Sequence, residues 1–264
     1  MQRFHYLIGL LLLFALCTTS CRKDGDDTPI IDINIDDQFF TSPWEALSPT
    51  QREFKLRIGT LSKQACADDT LDLDYEQDGQ RFIISINDIV SSNECIGDSA
   101  IIESSINLGS LSEGTYQLEI NLRQEIINKG QLKVDENQYE LEMESEHGIS
   151  LPHPTLLRVP SNTIWGFAAY NDTKMAAAIE QFLQELTSIT TTSSLDYGYY
   201  GYFSNYQGQP LQLDDRPEGY VGYETFSRIA DQNYTTIRNL VNRYRTDYGN
   251  QLEIKLFTAD GREL

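Results

Sequence analysis

Hydrophobic and polar positions alternate with period two over Phe54-Lys55-Leu56-Arg57-Ile58 and again over Leu71-Asp72-Leu73-Asp74-Tyr75, as strands with one solvated face require. Similar stretches run over 81–86, 100–108, 115–122, 130–134 and 139–143. Gly79, Gly97, Gly114 and the pair Asn128-Lys129 punctuate them as turns. Six or seven short strands within 51–146, with no helical period among them, predict an all-β sandwich. Gly148, Pro152, Pro154 and Pro160 then interrupt regular pairing, so 147–160 reads as a linker.

Beyond the linker the element types change, and 161–264 reads as an α+β domain. Thr163–Tyr170 suits a strand, and Asn171 or Asp172 can cap the helix that follows, with Met175, Ile179, Phe182, Leu183 and Leu186 on one face. Asp196 to Ser204 predicts a second strand, and a polar loop follows to Gly219. A longer amphipathic helix is expected over 223–248, with Phe226, Ile229, Ile237, Leu240, Val241, Tyr244 and Tyr248 as its stripe. Gly249 stops it before a closing strand over 252–257. Both helices are expected on one face of a small sheet.

The start of the chain carries an address. An apolar run from Leu7 to Leu16 follows Arg3 and ends in small polar residues, the pattern of a secretory signal over 1–20. Thr18-Thr19-Ser20-Cys21 resembles the lipobox of bacterial lipoproteins, with Thr18 where an aliphatic residue is usual. The charged run Arg22 to Asp27 resembles the surface-export signal of Bacteroidota-type lipoproteins. The resemblance covers about 27 residues and implies acylation of Cys21 and an outer-membrane or cell-surface location, lipid-anchored by palmitate or similar chains. Residues 21–50 read as a tether, with Phe39, Phe40 and Trp44 packed against the body and a short alternating strand at Ile31–Asp36.

A second resemblance lies in Leu111 to Ile120, where a glycine turn leads into a tyrosine-bearing strand. The stretch resembles the late-strand signature of Ig-like bacterial sandwich domains, and the resemblance implies that Tyr116 is the corner tyrosine and the sandwich Ig-like. Cys66 and Cys95 do not sit where antibody-type domains place theirs.

Charge narrows the choice of partners. The 264 residues carry 40 acidic against 20 basic side chains, a net charge of -20, which argues against nucleic-acid backbones and unassisted binding to anionic lipid. The excess is uneven, at -12 over 51–146 and only -4 over 147–264. In an oxidising compartment Cys66 and Cys95, 29 positions apart, are most simply a disulfide, with free or metal-bound thiols as alternatives.

Catalytic chemistry is poorly supplied. Only His147 and His153 remain after the signal, no GxSxG hosts a nucleophile, and Glu142, Glu144 and Glu146 share one face of a strand without metal-ligand spacing. Asp68-Asp69 and Asp214-Asp215 with Glu218 offer paired carboxylates, but no separation can be read from loops. No cofactor or metal is expected.

Tyr197 to Tyr223 stands out, with seven tyrosines and five glycines in 27 residues. Tyrosine presents a broad apolar ring with a hydroxyl and suits a partner surface. Trp165, Tyr197, Tyr199, Tyr202, Tyr206 and Tyr220 are the expected binding surface. The sequence thus predicts a non-enzymatic surface lipoprotein that binds or assembles with a protein partner, with glycan binding as the alternative and a carboxylate-dependent hydrolase behind both.

Overall fold

A computed structural model describes residues 38–264 apart from position 232. The signal, Cys21 and the strand expected at Ile31–Asp36 lie outside the described residues. Of the expected tether, Phe39–Leu47 forms β1, and it pairs antiparallel along its full length with β2 (Arg52–Thr60). The outward edge of β1 is covered by backbone only at Phe39 and Phe40, which pair in parallel with β9 (Ile149–Ser150). With β5 (Glu103–Gly109) these make a four-stranded sheet of order β5-β2-β1-β9.

Six strands form the facing layer: β3 (Thr70–Asp78), β4 (Arg81–Val90), β6 (Gly114–Leu122), β7 (Ile126–Val134), β8 (Gln138–Met143) and β10 (Thr155–Leu157). Their order is β10-β8-β7-β6-β4-β3, with β4 and β6 parallel. Period two decides which side chains enter the core. Phe54, Leu56 and Ile58 from one sheet meet Phe82, Ile84, Ile86, Leu118 and Ile120 from the other, while the alternate residues Lys55, Arg57, Ile83 and Ser85 point away from this core and are only partly covered. The Tyr116 hydroxyl donates to the Ser112 carbonyl at 2.9 Å, four residues back.

The expected linker does not behave as one. β9 and β10 lie within 147–160 and join one sheet each, and Leu156 is fully buried in the shared core. Asn128, expected in a turn, sits inside β7 with no exposed surface. Its side-chain amide exchanges two hydrogen bonds with the backbone of His147. Prolines shorten these strands, but open sheet edges and a buried amide still draw the segment in.

The C-terminal sheet has the order β12-β16-β11-β17, built from β11 (Thr163–Tyr170), β12 (Thr191–Thr192), β16 (Gly222–Ile229) and β17 (Leu252–Thr258). Central β11 is buried on both faces. Ile164 and Ala168 pack under α1 (Ala176–Ser188) and α2 (Tyr234–Tyr248), while Trp165, Phe167 and Ala169 point the other way. Asp172 accepts from the Lys174 amide and caps the 3-10 turn that leads into α1.

Two expectations fail here. The helix expected from Tyr223 begins only at Tyr234, because 222–229 pairs with every residue of β11 as β16. Phe226 and Ile229 stand three apart and imitate a helical stripe, yet only Phe226 faces the helices' core. The strand expected over Asp196–Ser204 is a hairpin of β13 (Gly198–Tyr199) and β14 (Phe203–Asn205), to which β15 (Gln212–Leu213) adds a third strand. Gly201, at φ +82, makes the turn that a continuous strand could not accommodate. Residues of both halves belong to one compact unit.

Candidate functional site

The tyrosine-rich hairpin lies on the side of the C-terminal sheet that the helices leave free, and it brings that sheet against the end of β1. The Tyr202 hydroxyl donates to the Glu45 carbonyl and accepts the Leu47 amide hydrogen. Two glycines permit the approach. A Cβ on Gly201 would lie 2.8 Å from Trp44, and one on Gly261 would lie 2.1 Å from the Leu47 carbonyl oxygen.

A buried ion cluster secures the same junction. The Glu45 carboxylate, almost wholly buried, accepts from Arg158 Nε and the Tyr139 hydroxyl at 2.9 Å each, and from Arg52 Nη1 at 3.3 Å. Arg52 also donates to the Ala259 carbonyl beyond β17. Two guanidinium groups and a hydroxyl thus replace the water this carboxylate gave up.

Between these contacts remains a cleft of about 550 Å³, within the range of ligand sites. Its apolar part is made by Trp44, Leu47, Trp165, Tyr202, Leu213 and Phe257. Tyr202 stands between the two tryptophans, 5.6 Å from Trp44 and 5.5 Å from Trp165, with planes tilted by 53° and 46°. Burial pushes the Tyr202 hydroxyl up to about 12, so it remains protonated and able to donate.

Charge gathers at other parts of the lining. Arg57 on β2 pairs with Glu103 on β5 at 2.9 Å, and Asp214 and Asp215 follow β15. Burial opposes the Arg57 charge, but Glu103, Tyr199 and Asp214 outweigh it and raise its pKa. Desolvation raises the Asp214 carboxyl, although the residue retains an exposed side, and the hydrogen bond it accepts from Tyr199 at 3.0 Å opposes the rise. His153 stacks on Tyr199 at 4.0 Å. Burial lowers the pKa of this histidine against the pull of Asp214.

The structure divides the six expected surface residues. Trp165 and Tyr199 are 3% and 7% exposed, Tyr197 and Tyr206 are 63% and 39% exposed, and Tyr202 and Tyr220 lie between. Only Trp165 and Tyr202 line the cleft. Tyr199 enters the core of the two large sheets, and Tyr220 donates to Glu253. The six make no shared flat platform, because Trp165 and Tyr202 face the cleft, Tyr199 the large core, and Tyr197 and Tyr206 solvent. Trp44, Arg57 and Glu103 complete the site from strands that a local pattern does not connect to Tyr202.

Among the described residues, the potential metal ligands drawn together are Cys66, Asp68 and Cys95. Cys66 and Cys95 form a disulfide, with Cα atoms 5.6 Å apart, so they offer no thiolates while that bond is intact. No described helix is long and apolar enough to cross a membrane. Comparison with family models, curated proteins and solved structures returns no match.

Proposed function

We propose that this chain is a non-enzymatic, lipid-anchored cell-surface protein that binds a protein partner by taking an apolar side chain into the cleft between Trp44, Trp165 and Tyr202. The observation that carries this reading is the cleft itself: concave, aromatic, and charged over only part of its lining. Apolar anchors held in such pockets contribute most of the affinity of many interfaces. The alternative, glycan capture, is less well served, because rings tilted by 46° and 53° do not offer one flat stacking face.

The address rests on the apolar run and the Thr-Thr-Ser-Cys21 motif, and a disulfide in the body accords with an oxidising compartment. In this reading β1–β10 serve as an Ig-like sandwich with Tyr116 at its corner, and residues 161–264 as an α+β head. The residues between Cys21 and β1 serve as the tether that raises both from the membrane.

Two measurements test the proposal. Metabolic labelling with a fatty-acid analogue tags the wild type and spares Cys21→Ser, whereas a tagged variant contradicts the anchor. For the cleft, Ser105→Phe fills it from an exposed position on β5. A partner retained by the wild type is lost on that variant, and unchanged retention contradicts the site.

A further inference from the structure

We propose that the occupant of the cleft is a segment of a partner protein in which an apolar anchor side chain stands directly beside a lysine or arginine. This rests on the reading of the cleft as the binding site and adds the charge of what fills it.

Four charged residues line the cleft: Arg57, Glu103, Asp214 and Asp215. Arg57 is committed to Glu103 at 2.9 Å. Asp214 bonds to the neutral Tyr199 hydroxyl and feels Arg57 and Arg216 only at a distance, without a salt bridge, and Asp215 makes no ion pair among the described residues. The lining therefore carries two carboxylates in excess. Lys55 and Arg216 are near but do not line the cleft. Lys55 instead places its ammonium 5.6 Å from the centre of the Trp44 ring, which shows that this ring already accepts a cation on its face.

The apolar part and the acids belong to one cavity, since Leu213, Trp165 and Phe257 line the same cleft as Asp214 and Asp215. An apolar side chain against Trp165, Leu213 and Phe257 thus leaves its neighbour within reach of the carboxylates. A neutral occupant would leave those charges partly desolvated without a counter-charge, whereas a lysine or arginine satisfies them. The cleft is partly open, so an anchor can enter while its backbone stays outside. At long range the net charge of -20 favours approach of a basic segment as well.

Calorimetry on the full chain with the peptides Ac-Lys-Phe-Lys-NH2 and Ac-Glu-Phe-Glu-NH2 tests the inference, because the two share an anchor and differ in charge. At low salt the basic peptide is expected to bind about tenfold more tightly. The ratio falls towards one in Asp214→Asn/Asp215→Asn, and in the wild type it shrinks as salt rises. Should Asp214→Asn disturb Tyr199, the single Asp215→Asn, at an exposed position, is expected to lower the ratio about threefold. Equal binding, tighter binding of the acidic peptide, or a preference unchanged in these variants overturns the charge assignment and leaves the cleft reading standing. If neither peptide binds, the cleft reading falls with it.

Discussion

The Tyr202 hydroxyl donates to the Glu45 carbonyl oxygen at 2.8 Å while accepting the Leu47 amide hydrogen at 3.2 Å. Residues 45 and 47 of a strand present their backbone groups to the same edge, and here that edge is beyond the reach of β9. A single hydroxyl thus stands in for a neighbouring strand and also fixes one ring of the cleft. Tyr202→Phe keeps the ring and leaves both backbone groups without their partner. The expected cost is about 2 kcal/mol in urea denaturation, with the slope of the transition unchanged. A loss below about 0.5 kcal/mol would show that solvent replaces the hydroxyl.

Glu45→Gln probes the ion cluster behind that edge. The amide retains the shape but leaves Arg52 and Arg158 facing a neutral group in a buried setting. Stability should fall by about 3 kcal/mol, as expected when one member of a buried pair is removed. Replacing Arg57, whose partner Glu103 is far more exposed, should cost less than about 1 kcal/mol. Equal losses at the two sites would contradict the assignment of Glu45 as the buried hub.

The disulfide joins the loop after β2 to the loop after β4, across a separation of 29 residues. Cross-linking a loop of this length stabilises by about 3 kcal/mol, chiefly by restricting the unfolded chain. Cys66→Ala/Cys95→Ala should therefore lower the denaturation free energy by about that amount while leaving the peptide affinities of the cleft unchanged. Altered affinity in the folded variant would mean that the disulfide also positions the site.

His153 gives stability a pH dependence of definite sign. Its pKa lies below the ordinary 6.5 in the folded chain because burial disfavours its charge, so the unfolded chain binds the proton more readily. Stability is unaffected by this group above that value and falls as pH drops from there towards the folded pKa. Asp214, with a raised carboxyl pKa, contributes the opposite slope, so the comparison must isolate the histidine. His153→Phe keeps a ring on Tyr199 and should flatten the decline in thermal midpoint from pH 7 to 5. Equal declines in both proteins would contradict it.

Much of the fold was readable where one sheet face meets water. Alternation located β2, β3, β4, β6 and β8 because each must separate core from solvent, and the run Thr163–Tyr170 was legible as a strand, though its burial on both faces was not. β1 was harder to read: Pro43 and three aromatics imitate a packed tether, and its strand character comes from full-length pairing with β2. Long-range pairing also turned the apparent first turns of a helix into β16.

The cleft was less legible than the fold. The aromatic content of the hairpin was visible, and Trp165 and Tyr202 were named, but their meeting with Trp44 depends on Glu45 and Tyr202, which stand 157 positions apart. Spacing along a chain cannot report such a contact. Nor could it separate Tyr199, drawn into the large core beside His153, from Tyr197, two residues earlier and exposed.

Both tryptophans of the chain line the cleft, so the two indole N–H signals in a proton–nitrogen correlation spectrum report directly on its occupancy. Titration with Ac-Lys-Phe-Lys-NH2 should shift both signals in the wild type and neither in Ser105→Phe. Indole signals that stay fixed while resonances elsewhere move would place binding outside the cleft and contradict the account.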